Sequence, residues 1–353
     1  MLAVAVIVVV LLVGGVVAGL YIRRSTATTT VTSTTSALAC GGSSVPTTFS
    51  VSTSNSLTPS TLTTTYSATT STNTSGPIQV VAGENFWGSL VSQLGGNQIN
   101  VTSIISDPNT DPHEYESNPA NAIAITNARF VILNGAGYDT WAQDIINAEG
   151  ASTQANQVVL VVQQFLNLSV DVNPHLWYSP YYVNDTVNEM FKDLVRIDPS
   201  STSYFTQNYA ALNASLWQSY MSREAAIKNT YSGVPVASTE SIFVYMANAT
   251  GLDVVSPPAF MDAVAEGTDP PAASVAQMEN LMAGGNSTVR VLVYNEQTVT
   301  PLTQTIKCLA AANQIPIIGV TETIQPPNTS FQIWMESEIL NLQNALNAAA
   351  LGQ

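Results

Sequence analysis

The sequence predicts an α/β protein of two lobes, each a parallel sheet with flanking helices, joined by one long rigid helix. Three observations predict it. From Ile78, short apolar runs alternate with helical segments, the pattern of strands linked by crossover helices. Tyr204–Thr230 then runs without Gly or Pro, with Tyr209, Leu212, Leu216, Tyr220, Ala225 and Ile227 at roughly helical spacing. At 1.5 Å per residue such a helix spans about 40 Å, more than one small lobe needs, so it suits a bridge. A second strand–helix alternation follows it.

Strands are expected in the first lobe at Ile78–Ala82, Val101–Ile105, Phe130–Leu133 and Val158–Val162. Helices are expected at Phe86–Leu94, Pro119–Asn127, Trp141–Asn147 and Tyr182–Val195, the last stopped by Asp198-Pro199. The second lobe reads as strands Val234–Ala237, Val254–Val255, Val289–Tyr294 and Ile315–Val320. Its helices are expected at Ile242–Ala249, Ala273–Met282, Pro301–Ala312 and Phe331–Ala349. No internal repeat is evident in the residues; the lobes share only an order of strands and helices.

The N-terminal part is different. Leu2–Ile22 carries no charge and is long enough to cross a bilayer as a helix. Residues 1–24 are therefore expected to be a transmembrane anchor or signal segment, although Arg23 and Arg24 follow it against the usual charge bias. Residues 25–76 are dominated by Ser and Thr and read as a disordered linker. The expected organisation continues with an N-terminal α/β lobe (77–203), the bridging helix (204–232) and a C-terminal α/β lobe (233–353). Sequons at Asn73, Asn100, Asn167, Asn184, Asn213, Asn248, Asn286 and Asn328 agree with an external, glycosylated chain.

Only 9% of the 353 residues are charged, against about 25% in ordinary chains, and the net charge is -15. Such a chain repels phosphate backbones, so nucleic acid is not an expected partner, whereas cations are mildly favoured. Two cysteines, Cys40 and Cys308, make neither a disulfide framework nor a zinc-thiolate site. One lies in the Thr/Ser tract and the other in an expected helix, so they are expected to stay apart. Cys40 also sits far from the apolar stretch that would feed a lipidation signal.

The chain has two histidines, and both follow proline in short loops. His113 lies in Asp111-Pro112-His113-Glu114-Tyr115-Glu116, and His175 in Asn173-Pro174-His175-Leu176-Trp177. Proline stiffens each loop, and imidazole is the commonest transition-metal ligand. In the second lobe Glu240 follows one strand and Glu322 another, where open α/β sheets bind ligands. Two imidazoles and two carboxylates across a cleft would suit Zn2+, Mn2+ or Fe2+. Glu84, Glu114, Glu116, Glu266 and Glu296 are further acids able to reach a cleft, with Glu116 read as bracing the His113 loop.

These residues carry a family resemblance. Val101–Trp141, Asn173–Pro180, Val236–Leu252 and Ile315–Ile324 together resemble the solute-binding proteins of zinc and manganese ABC importers, a cluster that includes streptococcal metal-binding adhesins. The resemblance implies two lobes on a rigid helix, with the metal site in the inter-lobe cleft. It implies His113, His175, Glu240 and Glu322 as ligands, although the family's fourth ligand is usually Asp. The His-rich loop of many zinc-specific members is absent.

The function implied is capture of a divalent transition metal at the cell surface. A monomeric, membrane-anchored protein would deliver it to an ABC permease subunit, without catalysis. A metal-dependent hydrolase is the alternative from another class, with Glu114 or Glu116 as base, but no HExxH or other hydrolase signature is present. An adhesin-like surface protein on the same fold is the third.

Overall fold

The computed structural model describes residues 76–107, 110, 112–150 and 155–351. The expected anchor and linker lie outside the described residues. No helix among the described residues is long and apolar enough to cross a membrane.

The first sheet contains β1 (Ile78–Glu84), β2 (Ile99–Ile105), β3 (Phe130–Leu133) and β4 (Val158–Val161), in the order β2-β1-β3-β4. All its pairings are parallel; Val81 of β1 faces Thr102 on one side and Val131 on the other. β1 and β3 are covered on both faces, so they read as unbroken apolar runs, with Val80, Val81, Ala82 and Phe130 to Leu133 buried. β2, at the edge, alternates instead: Asn100 and Thr102 point to solvent.

Two helices of this lobe start at side-chain caps. Asn118 caps α2 (Pro119–Asn127) in a reciprocal box with Asn121, and Pro119 opens the first turn. α1 (Asn85–Gly95), α3 (Thr140–Ala148) and a short α4 (Val162–Phe165) complete this part. α5 (Pro180–Ile197) is capped by Ser179 and stopped at Asp198.

The long helix runs from Thr202 to Tyr231 as α6 (Thr202–Leu216), a π-helical turn (Trp217–Met221) and α7 (Ser222–Tyr231). Backbone angles stay helical through both junctions. Phe205, Leu212, Leu216, Tyr220 and Ile227 form its buried face. The π-turn carries no Gly or Pro signal in the sequence.

The second sheet repeats the first in topology. β5 (Pro235–Ser238), β6 (Asp253–Val254), β7 (Leu292–Asn295) and β8 (Ile317–Val320) are all parallel, in the order β6-β5-β7-β8. Around it lie α8 (Val244–Thr250), α9 (Pro258–Ala265), α10 (Ala272–Ala283), α11 (Pro301–Ala312) and α12 (Phe331–Leu351). α9 escaped the sequence reading because Pro257-Pro258 looks like a breaker, yet Pro258 sits at the first helical turn, where proline is tolerated. Cys308 lies on α11. The chain's other cysteine, Cys40, lies outside the described residues.

One apolar core runs through both sheets and the long helix, so the lobes are packed together as well as tethered. Tyr220 of the π-turn meets Phe331 of α12 edge to face at 6.0 Å, and Phe331 meets Trp334 at 5.9 Å. Gln332 bonds Gln93 of α1, and Arg223 pairs with Glu336. Phe331 is fully buried at this junction. Phe331→Ala is therefore expected to destabilise the protein by about 3–5 kcal/mol, measured by denaturant unfolding.

Candidate metal centre

In both sheets the strand order reverses between the two central strands, and polar residues are buried beyond their carboxyl ends. Glu84 ends β1 and Asn134 follows β3; Glu240 lies just past β5, Asn295 ends β7 and Glu322 lies just past β8. All five are at most 1% exposed. Burial on this scale needs partners.

The chain past β3 is shaped by three successive left-handed residues, Gly135, Ala136 and Gly137. At Gly135 (φ 77°) a Cβ would also meet Val161 and Gln163 at 2.8 Å. This turn folds Asp139 back, so that its Oδ2 accepts from the Asn134 N–H (2.6 Å) and its Oδ1 from the Gly135 N–H (2.9 Å). Burial pushes Asp139 up to about 6. Burial, and then the nearby Asp139, hold Glu84 well above the usual carboxylate range. The same turn delivers Tyr138, whose hydroxyl donates to Glu322 Oε2 at 2.6 Å.

His175 is fully buried against Trp177, which stacks on Phe86 with ring centroids 3.9 Å apart. The His175 N–H donates to Asn173 Oδ1 (3.1 Å), and Asn173 Nδ2 donates to the Ser241 carbonyl (2.7 Å). Those two bonds fix the amide's orientation, so the ring Nδ1, 2.7 Å from Asn173 Oδ1, must be the donor. The proton is thus assigned to Nδ1 by the network, and Nε2 keeps its lone pair. Nε2 is buried and has no hydrogen-bond partner. Burial, and then the neighbouring His113, hold the imidazole pKa well below its ordinary value, so the ring stays neutral.

His113, on a short 3-10 turn (Pro112–Glu114), keeps 22% of its side-chain surface open. Its ring lies 5.5 Å from that of His175 and its Nε2 is 3.6 Å from Glu322 Oε2. Each of His113, His175 and Glu322 offers a ligand atom, and the three atoms lie within 4.8 Å of one another. Two nitrogens and a carboxylate at that spacing match a divalent transition ion. Glu240 is outside this group, one amide away: Asn295 Nδ2 donates to Glu240 Oε1 (2.7 Å) and to Glu322 Oε1 (2.5 Å). A cavity of about 470 Å3 opens beside His113 and is lined by Asp171, Asp262 and Glu266.

Asn295 and Gln297 were not foreseen from the sequence. Gln297 Oε1 accepts from the Glu322 N–H (2.7 Å), and its Nε2 donates to the Thr110 carbonyl in the His113 loop (2.9 Å). The signal was available: Asn295 ends a strand, where Glu296 had been considered instead. Alternation along β7 turns Asn295 inward, whereas Glu296 is exposed. Glu116 is also exposed. Asn295→Ala is expected to weaken metal binding about 10–100-fold, as loss of a group orienting two carboxylates does, measured by chelator competition.

Fold and geometry together define a two-lobed α/β protein with a mixed nitrogen–oxygen cluster between its lobes. The chain belongs to the family described as zinc-uptake complex component A, periplasmic, which matches residues 80–345. It is 26% identical over 187 residues to the manganese-binding lipoprotein MntA of Halalkalibacterium halodurans, covering 50% of this chain and 59% of that one. It is 23% identical over 199 residues to the manganese ABC transporter substrate-binding lipoprotein PsaA of Streptococcus pneumoniae, covering 52% and 63%. The chain spans about three fifths of the length of the curated relatives it matches. A manganese-bound periplasmic metal-binding protein from Candidatus Liberibacter asiaticus shares the fold. Its TM-score is 0.62 at 15% identity, over 76% of this chain and 98% of that one.

Proposed function

We propose that this protein captures a divalent transition-metal ion outside the cytoplasm and hands it to the permease of an ABC importer. His113, His175 and Glu322 are the ligands in this reading, with Glu240, held one amide away by Asn295, as the fourth. The observation that carries it is the lone pair of His175 Nε2. It is buried, has no partner and lies among the ligand atoms of His113 and Glu322. A fully buried acceptor without a donor is costly, and a metal ion supplies the missing partner.

The manganese-binding and ABC-transporter names of MntA and PsaA support metal as the cargo and an importer as the partner. Zn2+, Mn2+ and Fe2+ all suit the ligand set. The protein is read as a monomer whose residues 77–203 and 233–353 form the lobes about helix 204–232. Residues 1–24 are read as its anchor, and 25–76 as the spacer holding it at the cell surface. No catalysis is expected, because the sequence carries no HExxH or other hydrolase signature.

Equilibrium dialysis against a mixture of Zn2+, Mn2+ and Fe2+, followed by elemental analysis, tests the reading. One ion retained per chain is expected. No retained ion, or turnover of esters or phosphates by the loaded protein, contradicts it.

A further inference from the structure

Away from the metal centre, a second cavity of about 470 Å3 lies where α5, the long helix and α8 meet. Its size is that of a small-molecule site. Tyr181 and Asp185 of α5, Trp217 and Met221 of the π-turn, Glu224, Ala225 and Lys228 of α7 and Ala249 of α8 contribute to its wall. Glu224 is only 3% exposed, yet its Oε1 has no hydrogen-bond partner. Two large aromatic side chains on the same wall, Tyr181 and Trp217, are 67% and 59% exposed. Trp217 and Tyr220 both belong to the π-turn, the first exposed and the second buried. Such turns frequently mark functional sites.

We propose that this cavity binds a small organic ammonium ion, with its nitrogen on the Glu224 carboxyl and its carbon chain against Met221, Ala225 and Ala249. A buried carboxyl with a vacant acceptor calls for a donor, and aromatic faces attract cations more than neutral molecules. One buried carboxyl with the exposed Asp185 is too few ligands for a divalent metal.

The charged and titratable groups around Glu224 are Tyr220 on its own helix, Tyr181 and Asp185 of α5 and the exposed Lys228. Arg223 is engaged with Glu336. Burial pushes Glu224 up to about 8, so the free protein carries its proton at neutral pH. Binding an ammonium ion favours the carboxylate, and that proton passes to solvent.

Calorimetric titration of the full chain with n-butylammonium, 1-butanol and butyrate tests this, in two buffers of different ionisation heat. The expected result is saturable one-to-one binding of butylammonium alone, with proton release. Glu224→Gln is expected to weaken it about tenfold or more and to abolish the proton release, while divalent-metal binding stays unchanged. Ala225→Trp, at an exposed helical position, is expected to fill the cavity and block binding without touching Glu224. The proposal is overturned if butylammonium shows no saturable binding, or if 1-butanol binds equally well. It is likewise overturned by wild-type affinity in either variant.

Discussion

Alanine in place of His175 is expected to lower metal affinity about 10²–10³-fold, and His113→Ala to do the same. A structural zinc site binds with roughly 10–16 kcal/mol shared among four donors, or about 2.5–4 kcal/mol per donor. His175 is the more demanding case, because everything around it holds one tautomer. Asn173 takes the Nδ1 proton, its amide is pinned by Ser241 across the cleft, and Trp177 and Tyr138 wall the ring. None of that arrangement serves a histidine that only fills space. Chelator competition reads the loss, and circular dichroism of the metal-free variants checks that the fold persists. Wild-type affinity in either variant would remove that histidine from the site.

The second large effect is on stability. The metal-free protein is expected to resist unfolding better at about pH 5 than at about pH 8. Most acidic groups in proteins act the other way, so the sign needs its reason. Tyr178's hydroxyl lies 2.8 Å from the Thr321 carbonyl and 2.5 Å from Glu338 Oε2, with one hydrogen for two acceptors. The second hydrogen comes from Glu338, which burial pushes up to about 7. Glu224 rests at about 8 and Asp139 at about 6, with Glu84 also raised.

For each of these groups the folded state binds a proton more tightly than the unfolded chain. The stabilisation is complete below the unfolded values, near 4.3 for Glu and near 3.9 for Asp, and is lost as pH rises through the folded value. From Glu338 alone the difference between about pH 5 and about pH 8 is on the order of 2–3 kcal/mol. His175 opposes the trend below about 6.5, where only the unfolded chain takes up its proton. One imidazole against four carboxyls leaves acid favoured. Denaturant unfolding in chelator at the two pH values measures it, and greater stability at the higher pH would contradict the account.

The alternation of apolar runs and helical segments made the fold class legible, because buried parallel strands and amphipathic helices differ in period. The repeat of one lobe by the other was not legible. β2-β1-β3-β4 and β6-β5-β7-β8 share a topology, but sheet order is set by contacts distant in sequence. His113 and His175 stood out because histidine is scarce here and proline precedes both. Glu322 stood out as a carboxylate past a strand. Glu240 carried the same signal, and the structure puts it beside the cluster, linked through Asn295. Asn295, Gln297 and Tyr138 were hidden by their chemistry: amides and hydroxyls are common, and their role lies in which acceptors each reaches. The π-turn at Trp217 left no mark in the sequence because ordinary helix formers build it.

X-ray absorption at the edge of the bound metal tests the central claim most directly. The account predicts one divalent ion per chain with two imidazole nitrogens and carboxylate oxygen in its first coordination sphere. Loss of one imidazole contribution is expected in each of His113→Ala and His175→Ala. A sphere of oxygen alone, or one unchanged in those variants, would contradict it.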